Sequence, residues 1–443
     1  MIRSLRSIVS PGRRLRVAVR FSVGMSALLF ALAPASAQQR PAEPVVSPAL
    51  AVLLEEALQN NPELRGAAKE TEAAEQRIRP AGALEDPMVE AGLLNVPIQP
   101  FRLNREDMTM KMLGVSQKLP YPGKRALREQ VAAKDAESVG YGLRETTNRV
   151  ARDLKLAYFD LALVEETIRQ LQNNRLILEQ FLKIAEGRYA VGQATQAEVL
   201  KAQTQLSRMS EELLRMERDR PVMEAELLRL LGRRGKAAPI AAELPQMGEA
   251  GFDLEALQEA ALRERPQLLG LQSVIERSAK NLELARKEAQ PDFDVRFSYG
   301  QRERDLANMP REDLFSVTVA IIRPVWRKVK IEPRIAEAQA MREQTREVQR
   351  AQQNEVLAKL RQQVAIAEQS RKSVRLYESG ILPQAKLGVE AALSGYKVNR
   401  VDPLMLLDSQ MTLFNYEISR AKELVNYNKA LAEIGLLTGR RAF

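Results

Sequence analysis

The fold of this chain is decided by a stretch of sequence that occurs twice, YAVGQATQAEVLKAQ at 189–203 and YKVNRVDPLMLLDSQ at 396–410. The offset between the copies is 207, and both have a tyrosine, a valine, a leucine and a glutamine at the same places. In each copy a helical sequence stops, turns and resumes; the turn holds Gly192 in one copy and Asn399 in the other, the two residues that best tolerate a left-handed helix end. The stretch therefore predicts the tip of a helical hairpin, built twice.

The likeness between the two halves continues outward from these tips. Towards the N-terminus the offset becomes 204, so that Pro87 and Pro120 recur as Pro291 and Pro324. Further matches at that offset pair Leu53, Ala57, Leu58, Pro62 and Leu64 with Leu257, Ala261, Leu262, Pro266 and Leu268. A register kept over so long a span indicates duplication of a whole structural unit, because solenoid repeats have periods of about 20–50 residues.

The pattern divides the chain into two repeats of the same order, short helices, two strands and two long helices. The first repeat covers 47–235, with strands at about 87–96 and 107–119 and long helices at about 122–190 and 195–231. A linker covers 236–250. The second repeat covers 251–443, with strands at about 291–300 and 313–323 and long helices at about 333–395 and 403–438. We expect the first of these two helices to be broken near Ser379, Gly380 and Pro383.

The N-terminus has the organisation of a secretory signal. Six arginines precede the apolar run at 21–32, and Ala35-Ser36-Ala37 is a small-residue cleavage site, which predicts a signal peptide at 1–37 and an extension at 38–46. Without the signal, Lys+Arg falls from 67 to 61 against 57 Asp+Glu, so the net charge falls from +10 to +4. Because the charges of both signs alternate along the chain, a nucleic-acid partner is not indicated.

The composition excludes several kinds of chemistry. The chain has no cysteine and no histidine, which rules out disulfides, a Ser-His-Asp triad and any metal site built on histidine. We therefore expect no enzyme, no cofactor and no metal site. A chain that is 45% hydrophobic but only 5% aromatic is typical of long helices and coiled coils.

The strands suggest a membrane. Phe293, Val295, Phe297 and Tyr299 alternate with polar residues over about the length of a tilted membrane-spanning strand. An amphipathic hairpin on a soluble core would show the same alternation. However, four strands cannot close a barrel, for which about eight are needed, and open edges are not tolerated in lipid. If these strands span a membrane, several chains must contribute to one barrel.

The hairpin tips are the candidate functional site. Thr195 with Glu198, and Asp402 with Pro403, are helix-start signals, so capping explains part of what these residues do. If tips from several subunits converge, repeated polar side chains would form rings at a pore mouth, and acidic rings favour cations. The candidate entrance residues are Tyr189, Gly192, Glu198, Tyr396, Arg400, Asp402 and Asp408.

The duplicated unit, LEEALQNNPEL at 54–64 and the two tip sequences resemble the TolC family of outer-membrane efflux proteins over essentially the whole mature chain. The resemblance implies a homotrimer in the cell outer membrane, projecting into the periplasm. It implies a mainly α fold with a small β-barrel contribution: long coiled-coil helices form an α-barrel, and four strands per protomer form a 12-stranded barrel. It also implies a passive channel that works with a periplasmic adaptor (membrane fusion) protein and an inner-membrane pump of the resistance-nodulation-division type.

The resemblance further implies roles for single residues. Tyr396 and Glu198 match positions that hold the periplasmic entrance shut, and Asp408 matches one of two acidic rings. Met405 stands at the other ring position, and Val401 stands at the place of a latch arginine, next to Arg400. The run QKLPYPGKR at 117–125 is similar to the heavy-metal efflux branch.

Two other functions fit parts of the pattern. A periplasmic coiled-coil adaptor or structural protein would also have long helical hairpins, although an adaptor needs a β domain between its helices and copy one offers only a short segment there. A channel of type I protein secretion would have the same architecture as an efflux channel.

Overall fold

The computed structural model describes residues 47–234, 240–248, 251–398 and 400–440. The expected signal peptide, the N-terminal extension, part of the linker and the turn residue Asn399 lie outside the described residues.

The described part of the chain is mainly helical with one small sheet, which confirms the fold class expected from the sequence. In chain order the elements are α1 Pro48–Asn60, α2 Pro62–Gln76, α3 Ile78–Gly82, β1 Met88–Leu94, β2 Met110–Leu119, α4 Lys124–Ala190, α5 Gln196–Leu231, α6 Leu254–Glu264, α7 Pro266–Lys287, β3 Asp292–Gln301, β4 Leu314–Ile322, α8 Glu332–Leu376, α9 Leu382–Lys397 and α10 Pro403–Leu437. Within these described stretches, no helix combines the length and the apolar character that a transmembrane helix needs.

The duplication is visible in where the elements start and stop. β3 begins at Asp292 and β4 at Leu314, the counterparts in the duplicated sequence of the residues that begin β1 and β2. In the same way the end of α9 corresponds to the end of α4, and the start of α10 corresponds to the start of α5. The extra length of the second copy therefore lies between the start of β4 and the tip, a span that is mostly long helix.

That long helix is not broken near Ser379 and Pro383, and this expectation was wrong. The residues Tyr377–Ile381 form one π-helical turn that joins α8 to α9 without a gap. A proline in a helix removes one backbone donor and crowds the preceding turn. A π turn widens the helix locally, so it accommodates Pro383 and an extra residue without ending the helix.

The helix α4 is the longest element of the first repeat. Its 67 residues span about 100 Å at ~1.5 Å per residue. α5 is shorter and stops part-way along α4, and α2 begins where α5 ends. The buried Asn61 joins them: its side-chain oxygen caps α2 at Glu63 N and Leu64 N, and its amide donates to the carbonyl of Leu230 at 2.8 Å.

The junction between α5 and α2 requires glycine. Gly232 ends α5 with φ +70°, and a Cβ there would lie 2.7 Å from the carbonyl oxygen of Asn60. Arg233 follows and donates to both carboxylate oxygens of Glu56 at 2.6 Å, which lowers the pKa of Glu56. In the second repeat Gly439, with φ +68°, meets the carbonyl oxygen of Glu264 in the same way. Each repeat thus pairs one continuous long helix with one assembled from two pieces.

Each repeat has its own apolar core, and the linker takes part in both. Ile240 and Ala242 are buried against the core of the first repeat, where the Tyr158 hydroxyl accepts a hydrogen bond from Glu243 N at 3.2 Å. In the second repeat the Tyr427 hydroxyl donates to the carbonyl of Gly248 at 3.0 Å. The predicted linker therefore packs against the first core and is hydrogen-bonded to a tyrosine of each core.

The two repeats meet where α4 packs against α7 and α10, and in the sheet. Gln410 on α10 donates to Asn174 on α4 at 3.0 Å, and Lys429 pairs with Asp160 further along. The four strands are antiparallel in the order β1-β2-β3-β4, so β2 and β3 join one repeat to the other. Directly paired residues there include Val115 with Phe297.

The corner between β2 and α4 is held by a buried cation. Lys124, only 3% exposed, donates to Asp292 at 2.8 Å and to the carbonyl of Gln290 at 3.0 Å. The backbone N–H of Tyr121 also donates to Asp292, at 2.7 Å. The basic residues of the 117–125 run thus connect the end of the sheet to the start of the long helix.

We expect Gly232→Ala to destabilise the protein by more than about 1 kcal/mol, because it combines a left-handed backbone with a contact to the backbone of Asn60. The matched control is Gly66→Ala in α2, where a Cβ meets nothing within 4 Å and alanine favours the helix. Thermal unfolding of both variants in mild detergent checks this. Equal melting temperatures for the two variants would show that the junction is not tightly fitted.

Candidate functional site

The first hairpin tip is a compact helix end. The N–H of Gln193 donates to the carbonyl of Arg188 at 2.8 Å, and the N–H of Gly192 donates to that of Tyr189 at 3.0 Å. Gly192 has φ +75°. This pair of bonds with a left-handed glycine satisfies the last carbonyls of α4. Gly192 therefore has a backbone role at the tip.

The helix that leaves this tip starts with a capping box. Glu198 accepts hydrogen bonds from the N–H of Thr195 at 3.1 Å and from its hydroxyl at 2.9 Å, while Thr195 caps Glu198 N. In a single chain the surroundings of this carboxylate are thus set by the start of its own helix. The structure does not bring Glu198 to Tyr396.

The second tip repeats the geometry with other residues. Arg400 N–H donates to the carbonyl of Gly395 at 2.8 Å, which is the counterpart of the bond from Gln193 to Arg188 in the first tip. Asp402 caps α10 by accepting from Leu404 N at 2.8 Å, with Pro403 in the first turn. Asp402 therefore has a capping role, whereas the side chain of Arg400 is exposed.

Tyr396 of the second hairpin packs against the first hairpin. Its ring is 7% exposed and packs with Ala392 and Leu406 against Phe181 of α4. The Arg188 guanidinium lies 4.4 Å from the ring centroid, in the range of a cation–π contact. Sequence reasoning missed Arg188, although it directly precedes Tyr189. Tyr189 itself is half-exposed, so the two matched tyrosines have different surroundings.

The acidic and apolar ring positions share one face of α10. Asp408 and Met405 are three residues apart and both exposed, and the residues between them, Leu406 and Leu407, are buried against the hairpins. Within the described part of the chain, Arg400, Asp402 and Asp408 form no ion pair. Nor do acidic side chains in the described ranges gather into a group that could hold a metal ion.

Comparison with known proteins adds to this geometry. Residues 53–233 match the sequence model of the outer membrane efflux protein family. No curated protein matches the chain in sequence.

Several solved structures share the fold. A membrane protein from Pseudomonas aeruginosa superposes with a TM-score of 0.78 at 16% identity, covering 90% of this chain and 92% of that one. The CmeC outer membrane channel of Campylobacter jejuni gives 0.77 at 13% identity, with 92% and 90% covered. The outer membrane protein VceC of Vibrio cholerae gives 0.73 at 18% identity, with 88% and 96% covered. At these identities the likeness is one of fold.

We expect Glu198→Ala to loosen the first tip, because it removes two of the three hydrogen bonds of the capping box, a loss of about 1 kcal/mol. Amide exchange at 195–199 should then become about fivefold faster. Glu198→Gln should leave exchange nearly unchanged, since an amide oxygen can accept the same bonds. Glu186→Ala, an exposed glutamate on α4, is the control. Faster exchange in the glutamine variant as well would assign the effect to charge and not to capping.

Proposed function

The chain belongs to the outer membrane efflux protein family, and from that premise we propose that it is the outer-membrane exit duct of a tripartite efflux system. Members of this family are transport ducts and not enzymes. In this proposal the protein is a passive homotrimeric channel. It carries solutes from a periplasmic adaptor and an inner-membrane pump of the resistance-nodulation-division type to the exterior.

The observation that carries the proposal is the incomplete sheet. Within the described residues, β1 pairs only with β2 and β4 pairs only with β3, so each has an outer edge that the chain leaves unpaired. Unpaired backbone donors and acceptors are not tolerated in lipid. Three copies provide twelve strands, enough to close a barrel in which no edge is left.

One face of this sheet suits lipid. The register places Val89, Val115, Phe297 and Val317 in one row across all four strands, and each is between 41% and 66% exposed. The row beside it on the same face contains Leu113, Tyr299 and Phe315, which are also exposed. Two adjacent rows of exposed apolar side chains support contact with a membrane.

The other face suits water. Between the two apolar rows, Glu90, Ser298 and Ser316 lie in register with one another on the opposite face. The next polar row on that face contains Ser116, Arg296 and Thr318, and Arg296 pairs with Glu90 at 3.2 Å. An apolar outside and a polar inside are the pattern of a barrel with an aqueous lumen.

The helices continue the duct. Each chain supplies four long helical paths, so a trimer has twelve, enough for a tunnel about 100 Å long. The hairpin tips lie at the far end from the sheet and would form the periplasmic entrance, where an adaptor docks. We assign to this entrance Tyr189, Gly192, Glu198, Tyr396, Arg400, Asp402 and Asp408.

The duplication specifies how neighbouring subunits pair. Within a chain β2 lies beside β3, and the duplication relates β2 to β4 and β1 to β3. If β4 meets β1 of the next copy in the same register, Ile321 lies opposite Ala91, as Gln117 lies opposite Val295. Directly opposite residues in a sheet are close enough for a disulfide.

We therefore expect the double variant Ala91→Cys with Ile321→Cys to form covalent trimers on oxidation. The natural chain has no cysteine, so every disulfide must come from this pair. The control is Ala91→Cys with Val317→Cys, displaced by four residues, or about 13 Å along the strand. Denaturing gels should show dimers and trimers for the first pair and monomers for the control. Monomers for both pairs would contradict the proposed barrel.

A second expectation concerns Asp408, which would form a ring of three carboxylates on the pore axis. Asp408→Asn should weaken block of the channel by multivalent cations about tenfold in planar bilayers. The control is Glu186→Gln, which removes one negative charge from an exposed position on α4 outside the assigned entrance. Multivalent cations should block this control channel as strongly as they block the wild type. A wild-type blocking curve for Asp408→Asn would place this residue away from the axis.

A further inference from the structure

The segment 323–330, which we call the basic corner, connects β4 to α8, and the residues Arg327–Ile331 form a π-helical turn that leads directly into α8. It contains Arg323, Arg327, Lys328 and Lys330 and no acidic residue. It also contains Trp326, the one tryptophan of the chain, which is 66% exposed and lies near the exposed Val325 and Val329. Exposed cations are ordinary on a water-facing surface, but adjoining exposed apolar side chains such as these are typical of an interaction site.

The matching corner of the first repeat shows what this arrangement lacks. Lys124 is buried and held by Asp292 and the carbonyl of Gln290. Its neighbour Arg125 donates to the carbonyl of Gly82 at 2.8 Å. Lys328 is the counterpart of Lys124 in the duplicated sequence but is exposed. Among the described residues, the structure records no ion pair for any of the four cations of the basic corner.

The difference follows from which strand lies beside each corner. β2 has β3 of the same chain as its neighbour, and β3 supplies Asp292. β4 would have β1 of the next copy as its neighbour, and the residue of β1 that corresponds to Asp292 is Met88, which has no charge to offer. Forming the trimer therefore does not give Lys328 the carboxylate that holds Lys124.

The position of the corner indicates a partner. It directly follows the apolar face of β4, which ends with the exposed Ile321 and Ile322, and precedes the long helix. In the proposed barrel this is the periplasmic boundary of the membrane. Tryptophan prefers that boundary, and lysine and arginine near it are attracted to anionic headgroups.

We propose that the basic corner binds the headgroups of anionic phospholipids on the periplasmic side of the membrane, with Trp326 inserted beside them. This rests on the proposed function, since it needs the sheet to lie in a bilayer. Each trimer would carry three such sites. They would fix the depth at which the barrel ends and the helices begin.

The single tryptophan makes the site directly measurable. The full mature protein is reconstituted in phosphatidylcholine vesicles that contain a small fraction of either brominated phosphatidylglycerol or brominated phosphatidylcholine. Bromine quenches a nearby indole, and here all tryptophan emission comes from Trp326. We expect phosphatidylglycerol to bind beside Trp326 at least about fivefold more strongly than phosphatidylcholine.

Two variants separate charge at the corner from charge in general. Changing Arg327, Lys328 and Lys330 together to glutamine should abolish the preference for phosphatidylglycerol. Changing Arg361, Lys372 and Arg375 to glutamine, all exposed further along α8, should leave it unchanged. Channel conductance is recorded for each preparation, so that a failure of the lipid site is distinguished from a failure of the duct.

Equal quenching by both lipids in the conducting wild type would overturn the proposal, as would an unquenched indole with the emission of water-exposed tryptophan. Nor would the proposal survive if the glutamine variant kept its lipid preference but lost its trimers. That result would assign the cations to the neighbouring subunit, where Glu85 and Asp86 precede β1.

Discussion

The structure depends on the rule that every backbone donor and acceptor in a sheet needs a partner where water is absent. β1 and β4 satisfy this rule on one side only, and no other described segment of the chain lies at their free edges. The apolar rows across the four strands also need to be covered, because a contiguous exposed surface of valine and phenylalanine is unfavourable in water. In the proposed trimer, neighbouring copies pair the free edges and lipid covers the apolar rows.

The duplication explains how the proposed trimer could be regular although the two halves of each chain are unequal. Gly232 and Gly439 each lie against the backbone at the end of the first short helix of their repeat. The backbone hydrogen bonds donated by Gln193 and Arg400 occupy equivalent positions in the two tips. The two halves differ at the corner between the sheet and the long helix. Lys124 has Asp292 beside it because both belong to one chain, whereas Lys328 would lie at a subunit boundary in the proposed trimer. The exposed cations of the second corner are thus a consequence of position and not of composition.

The sequence is sufficient to predict the fold class, because the run without proline at 123–220 and the clean alternation in 293–299 and 315–321 are local signals. It does not reveal Asn61 as the joint between α5 and α2, since the bond to Leu230 spans two helices that are distant in sequence. The π turn at Tyr377–Ile381 was also missed: glycine and proline indicate a break only if the helix has no other way to adapt.

The candidate site was predictable in part for the same reason. The capping roles of Gly192, Glu198 and Asp402 follow from local sequence, and the structure shows those bonds. The contact of Arg188 with Tyr396 joins two repeats and has no local signature, so only packing reveals it. Which tip residues face a pore axis is a property of the assembly and stays a prediction.

The central claim is that identical chains complete one another's sheet. Native mass spectrometry of the protein, extracted in mild detergent from isolated outer membranes, tests it most directly. The account predicts a single species with the mass of three chains. A monomer recovered from the soluble periplasmic fraction would contradict it.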